Sequence, residues 1–213
     1  MSVAAFYGRY ARLYDALATL PGVDRWRDRA AAALDLAPGD TVVEMGCGTG
    51  ANLPHLRERV GSAGRVVGVD LARPLLARAR RRTARWSNVH LLAGDATRPP
   101  VARADAVLGT FVVGMLADPA AAVERWCDLV GPGGRVAVLE ATRSCRLPGW
   151  PLNLAFDWFV RAGAPGGGAG ASAALDERVR TAHAALAART VARRHAQFAA
   201  GFVDLVSGTV AAE

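Results

Sequence analysis

Hydrophobic residues along the chain fall into short unbroken runs separated by longer mixed stretches. Five runs stand out: TVVEM (Thr41–Met45), RVVGV (Arg65–Val69), VHLLA (Val89–Ala93), DAVLG (Asp105–Gly109) and RVAVLE (Arg135–Glu140). They are rich in β-branched residues and flanked by Gly, Pro or Asp, which marks them as strands. Because the runs are continuous rather than alternating, they predict strands covered on both faces, as in a parallel sheet. Between them, Ala51–Val60, Ala72–Trp86 and Pro119–Val130 have helical length. Strand and helix thus alternate as in a doubly wound α/β domain.

The two ends depart from this rhythm. From Ser2 to Leu36 the chain reads as helices, with Phe6, Tyr10, Leu13, Tyr14 and Leu17 at helical spacing. After Glu140, TRSCRLPGWP reads as a loop, Leu152–Gly163 as a short aromatic-rich helix, and APGGGAGASA as a flexible joint. A polar-faced helix over Leu175–Ala188 follows. TVARRHAQF and GFVDLVSGTV then form an antiparallel hairpin about an Ala199–Ala200–Gly201 turn. The expected organisation is a single domain over 1–213. It comprises a helical cover (1–36), a ligand-binding core (37–145), an inserted loop and helix (146–189) and the hairpin (190–213).

Composition changes this picture little. A length of 213 residues with 52% hydrophobic and 21% charged residues supports a sizeable core. The formal charge is +7, and all 26 basic residues are arginine, an economy that with the abundant Ala, Gly and Val suggests codon bias more than a polyanionic ligand. LARARRRTAR (Arg78, Arg80, Arg81, Arg82, Arg85) spreads its charge around a helix and reads as a solvated surface, so DNA is not expected as a partner and RNA is disfavoured. Arginines interrupt the first residues, which excludes a secretory signal there. The longest apolar stretch, Val107–Ala117, is too short to span a bilayer. Cys47, Cys127 and Cys145 lack zinc spacing, and His55, His90, His183 and His195 form no metal-ligand pattern, so no metal is expected. A cytoplasmic protein follows from these readings.

The chemistry concentrates in VVEMGCGTG. Gly46, Gly48 and Gly50 follow a strand at every second position, where they let backbone amides face a ligand beside a helix N-terminus. A nicotinamide-dinucleotide fingerprint calls for G-x-G-x-x-G, and the chain offers Ala51 or Leu53 at the last place. Glu44, two residues before the first glycine, would repel a diphosphate and welcome a cation. Asp70 ends the second strand, placed for two ribose hydroxyls, and Asp95 follows the third, placed to accept from an exocyclic amine. A ligand with an amino group, a ribose and an adenine, but no diphosphate, suits this set.

The ordered motifs E-x-G-x-G-x-G, GVD, GDA and LVGPGGRVAVLE resemble those of the class I S-adenosylmethionine-dependent methyltransferases over about residues 5–145. That resemblance implies a Rossmann-like class I methyltransferase sheet with S-adenosylmethionine as cofactor. It assigns the methionine part to the glycine turn (Glu44, Gly46, Cys47, Gly48, Gly50), the ribose to Asp70, and the adenine to Leu71, Gly94, Asp95 and Ala96, with Thr110 nearby. Within that family the chain is most similar to the ubiquinone/menaquinone C-methyltransferases and the related phospholipid N-methyltransferases. GPGGRVAVLEAT is close to their P-G-G…L-E-x-S segment, with Thr142 in place of Ser. It departs from them at TFVVGML (Thr110–Leu116), which lacks their Arg-Asn pair, and in the short interval from Tyr14–Asp15 to Trp26.

Methyl transfer from a sulfonium needs alignment more than proton chemistry, and a base only where the nucleophile must lose a proton. Tyr14, Asp15 and His183, with Glu140 and His195 behind them, are the candidates. The aromatic stretch around Trp150, Phe156, Trp158 and Phe159, with Arg143, Arg146 and Arg161 near it, suggests a lipid-like or small-molecule acceptor and peripheral contact with a membrane. A catalytically silent cofactor-binding module acting through a protein or RNA partner is the rival reading, and a nicotinamide oxidoreductase a more distant one.

Overall fold

The computed structural model describes residues 21–146, 153–154 and 170–212. It contains α1 (Pro21–Ala32), β1 (Thr41–Met45), α2 (Leu53–Val60), β2 (Arg65–Asp70), α3 (Arg73–Thr83) and β3 (Val89–Ala93). These are followed by β4 (Ala106–Thr110), α4 (Pro119–Val130), β5 (Arg135–Ala141), α5 (Ala171–Arg189), β6 (Thr190–Phe198) and β7 (Val203–Val210). The strands form one sheet in the order β3-β2-β1-β4-β5-β7-β6. Strands β1 to β5 are parallel, and β7 runs antiparallel to both β5 and β6. This is the expected α/β sheet with its C-terminal antiparallel hairpin. The strand order reverses between β1 and β4, and in such sheets that is where a crevice opens beyond the carboxyl ends.

Strand residues alternate between two cores. Val42, Val66, Leu108 and Leu139 face α1, α2 and α3, packing on Leu34, Leu53, Leu56 and Ala79. Val43, Val107 and Val138 face α4 and α5, packing on Val123, Trp126, Val179 and Leu186. Both faces of the central strands are therefore dry, which explains their unbroken apolar runs. The edges differ. β3, read as a covered strand, is only partly buried, and most of β6 is exposed. A register shift between Val191 and Arg194, with Ala192 at φ +48°, breaks the free edge of β6. Bulges and arginines there discourage pairing with another chain.

Several element boundaries move from expectation, each for a local reason. α2 and α3 begin at Leu53 and Arg73, each with a proline in its first two positions, rather than at Ala51 and Ala72. Proline lacks the N–H that the first turn leaves unpaired anyway. α3 stops at Thr83, not Trp86, and Arg85 lies over the Trp86 ring at 4.5 Å. α5 starts at Ala171, so the last part of the expected flexible joint is helix. Gly170 at φ +102° sets its start, and Val179, Ala182, Ala185 and Leu186 make it a core helix. Tyr14, Asp15 and the rest of the N-terminal cover before Pro21 lie outside the described residues. So do the aromatic residues Trp150, Phe156, Trp158 and Phe159.

Candidate functional site

The turn after β1 depends on its three glycines, which adopt φ of +68°, +55° and +77° at Gly46, Gly48 and Gly50. Side chains rarely tolerate that region. A Cβ on Gly46 would lie 2.6 Å from Val112 Cγ2, and one on Gly50 would meet Leu53 and Ala79. Gly50 therefore serves packing against α3, whereas Gly46 keeps the turn close to the segment after β4. Asp70, at the end of β2, fastens the turn: its Oδ2 accepts from Gly48 N at 2.8 Å and its Oδ1 from Ala72 N at 2.7 Å. Burial raises the Asp70 pKa while these two N–H groups oppose the rise. Arg82 also reaches the turn, donating to the Thr49 carbonyl at 2.9 Å. That corrects its reading as part of a purely solvated arginine face.

A cavity of about 220 Å³ opens above these carboxyl ends. Gly46 and Gly48 line it from the first turn, Asp70 and Leu71 from the second, and Gly94, Asp95 and Ala96 from the third. The structure thus brings together seven residues from three separate motifs. Asp95 Oδ1 accepts from Thr97 N at 2.8 Å, which shapes the third turn, and Trp126 Nε1 donates to the Ala96 carbonyl at 2.8 Å. Ala72 and Leu75 add to the wall at the start of α3, and Phe111, Val112, Met115 and Leu116 close it after β4; the sequence reading assigns none of these six to the site. Their position beyond the carboxyl end of a central strand was the available signal. Phe111 stands at φ +54°, an uncommon conformation for an aromatic residue that is held by its N–H bond to Leu139 O.

Glu44, Cys47, Gly50 and Thr110 lie outside the lining. Cys47 packs against Gly68, and Thr110 and Glu44 belong to a polar network on the α1–α2 side of the sheet. In it Asn52 donates to Glu44 Oε1 and to Thr110 Oγ1, while Arg27 of α1 donates to Asn52 Oδ1 and Thr110 Oγ1. Burial pushes the Glu44 carboxyl up to about 8.

The candidate bases are placed as follows. Glu140 is buried, and its Oε1 accepts from Val112 N at 2.6 Å and Val113 N at 2.7 Å. It holds the segment after β4 against β5. His195 Nε2 lies 2.9 Å from Asp204 Oδ1 on the hairpin. His183, on α5, has its pKa lowered by burial, and its Nε2 has no hydrogen-bond partner among the described residues. Neither histidine lines the cavity.

Glu140 leads to a pH prediction. Burial pushes its carboxyl up to about 8 from the ordinary 4.5. A carboxyl raised in the folded state contributes its full stability below its unfolded pKa and loses it as pH rises through the folded one. Glu140→Gln keeps the accepting oxygen and removes the charge. Its melting temperature should therefore match wild type near pH 4.5 and exceed it progressively up to about pH 8. A difference independent of pH in paired thermal melts would refute this account.

Comparison with known proteins places this arrangement. Residues 42–134 match a family described as a methyltransferase domain. A 2-phytyl-1,4-naphtoquinone methyltransferase of Thermosynechococcus vestitus is 35% identical over 144 residues, covering 65% of this chain and 64% of that protein. A demethylmenaquinone methyltransferase of a Mycobacterium species is 35% identical over 159 residues, covering 72% and 63% respectively. The chain spans 37–64% of the length of the curated relatives it matches. Among solved structures, one from the complex of the Haloferax volcanii Trm112 methyltransferase activator with a methyltransferase superposes with a TM-score of 0.71. It covers 100% of this chain and 99% of that one at 16% identity, a likeness of fold. Residues 42–134, which include the glycine turn, are thus similar to a methyltransferase domain, and the sheet with its reversed strand order shares its fold with a methyltransferase structure.

Proposed function

We propose that the protein transfers a methyl group from S-adenosylmethionine to a small lipophilic acceptor of quinone-like chemistry. The carrying observation is the composition of the cavity wall. Beside Asp70 and Asp95, its side chains are apolar, and Phe111, Val112, Met115 and Leu116 form a part of it that no cofactor motif claims, with Met115 39% exposed. Exposed apolar side chains around a concave site favour a flat, apolar partner. The relatives named for naphthoquinone and menaquinone substrates agree with this choice. In the transfer, the acceptor's nucleophilic atom bonds to the methyl carbon as the carbon–sulfur bond breaks. The bound cofactor would supply this activated methyl group and leave as the neutral thioether, and the acceptor would give up a proton. The chain's part is to orient the two reactants and exclude water.

The residues fit the cofactor. The left-handed backbone at Gly46 and Gly48 borders the cavity, and the Asp70 carboxylate lines it where a ribose could add hydrogen bonds. Asp70→Ala should weaken S-adenosylhomocysteine binding by about 1–3 kcal/mol, the size of a lost hydrogen bond to a charged group. Calorimetric titration measures this, and wild-type affinity in the variant would remove the ribose role. For the acceptor, the assay is methyl transfer from labelled cofactor to a reduced naphthoquinone lacking its ring methyl, with phosphatidylethanolamine vesicles in parallel. Methylation of the quinol is the expected result. Transfer only to the phospholipid would redirect the assignment, and cofactor binding without transfer to either would favour a silent module. Among the described residues no helix is long and apolar enough to cross a membrane.

A further inference from the structure

Two carboxyl groups each gather two backbone N–H groups, one on either side of the cavity. Asp70 holds Gly48 and Ala72 on the side of the glycine turn. Glu140, buried on β5, holds Val112 and Val113 through a single oxygen, Oε1, at 2.6 and 2.7 Å. This second clamp stands in for a missing local one. Val113–Met115 form one turn of 3₁₀ helix, and its N-cap is Val112, whose side chain has no acceptor for the N–H groups the turn leaves unpaired. Within the turn, Met115 N–H bonds to the Val112 carbonyl and Leu116 N–H to that of Val113. At its far side Leu175 of α5 packs so closely that a Cβ on Gly114 would stand 2.9 Å from Leu175 Cγ. A left-handed Phe111 and a turn without its own cap keep their shape only where the surroundings over-determine it.

We propose that Glu140 is the positioning residue of the acceptor half of the cavity: by capping the 3₁₀ turn from β5, it fixes the wall of Phe111, Val112, Met115 and Leu116 at the spacing a flat acceptor needs. This deepens the acceptor reading given above and rests on it. Glu140 does not itself line the cavity, so it acts only through the backbone it holds. Val112 carries the effect across the cleft, because its Cγ2 lies where a Cβ on Gly46 would be only 2.6 Å away. With the clamp in place, Val112 and Phe111 close the cavity on that side. Without it, two buried N–H groups lose their acceptor, and the turn must open to find another in water. A flat ring then loses its lining on one face. The glycine turn does not follow, since Asp70 fastens it from the opposite side.

The experiment compares two titrations at one pH. S-adenosylhomocysteine is titrated into the free protein, and 2-naphthol, a flat apolar probe, into protein saturated with S-adenosylhomocysteine. Glu140→Leu, which removes the acceptor oxygen, should weaken naphthol binding and raise KM for the reduced naphthoquinone by about tenfold or more. Its affinity for S-adenosylhomocysteine should stay within about threefold of wild type. Glu140→Gln keeps the accepting oxygen and should restore naphthol binding. Hydrogen exchange should show the Val112 and Val113 amides losing protection in the leucine variant and regaining it in the glutamine one. Equal losses for both ligands in Glu140→Leu would show a merely structural role and overturn the proposal. So would wild-type naphthol affinity with those two amides exposed. Should the leucine variant not fold, Glu140→Asp shortens the arm by one methylene, and naphthol affinity equal to wild type in it would overturn the proposal. Naphthol binding by wild type without methylation of the quinol defeats the acceptor reading alone, whereas S-adenosylhomocysteine binding without naphthol binding defeats this inference.

Discussion

Replacing Trp126 with alanine should lower the unfolding free energy by about 3–5 kcal/mol, the range for truncating a buried aromatic side chain. Trp126 is fully buried on α4 and packs so closely over β4 that a Cβ at Gly109 would stand 2.8 Å from its ring. Little can collapse into the space, because the neighbouring strand residues are themselves fixed by the sheet ladder. The variant also leaves the Ala96 carbonyl without the Nε1 donor it has at 2.8 Å. Ala96 lines the cavity, so cofactor affinity should fall together with stability. Trp126→Phe keeps much of the volume and removes the donor, adding about 1–3 kcal/mol for the unpaired carbonyl to the smaller cost of the lost ring. Urea unfolding of the three proteins decides the matter. A loss below 1.5 kcal/mol in the alanine variant would mean that the α4 core repacks freely, contrary to this description.

The second large effect is expected at Gly46. Gly46→Val introduces a β-branched side chain at φ +68° and places its Cβ 2.6 Å from Val112 Cγ2. Left-handed backbone costs a non-glycine residue roughly 1–2 kcal/mol, and overpacking a filled site costs about 1–3 kcal/mol more. Val112 cannot easily withdraw, because its N–H is bonded to the buried Glu140 carboxyl. The turn must therefore move, and it carries with it Gly48, whose N–H binds Asp70. S-adenosylhomocysteine affinity should fall at least a hundredfold, about 2.7 kcal/mol on the usual scale. Titration and thermal melts on the same preparation separate the two losses. Retention of wild-type affinity would show that the ligand does not approach the turn at Gly46.

The two variants probe features of unequal visibility in the chain. The Gly46 turn is announced by three alternating glycines after an apolar strand, since no other residue accommodates that backbone cheaply. Trp126 shares the apolar face of α4 with Val123, Cys127 and Val130, which marks it as buried, but nothing local says that its Nε1 reaches the third turn. The same contrast runs through the site. Gly94, Asp95 and Ala96 stand in a short motif after a strand, and the cavity gathers them with Asp70 and Leu71 as the alternation of strand and helix requires. Phe111 to Leu116 were read only for the Arg-Asn pair they lack, because their role depends on the strained backbone at Phe111 and on two N–H bonds to Glu140, 27 and 28 residues away.

By itself, the sequence determined the strands, the two-sided burial of the central ones, the C-terminal hairpin and the glycine turn, because each depends on short-range patterning of apolar, β-branched and glycine residues. Helix starts shifted by one or two residues where proline, not a capping side chain, opens α2 and α3. Only the tertiary structure decided which acids meet the cavity and which lie beneath it. Glu44 and Asp70 look alike as carboxylates at strand ends. Yet one borders the cleft, and the other is enclosed with Asn52, Thr110 and Arg27, partners 8, 66 and 17 positions away in the chain. Such a network costs nothing to leave unwritten locally, since no single segment of the chain bears its desolvation. It becomes obligatory only when folding removes all four side chains from water at once.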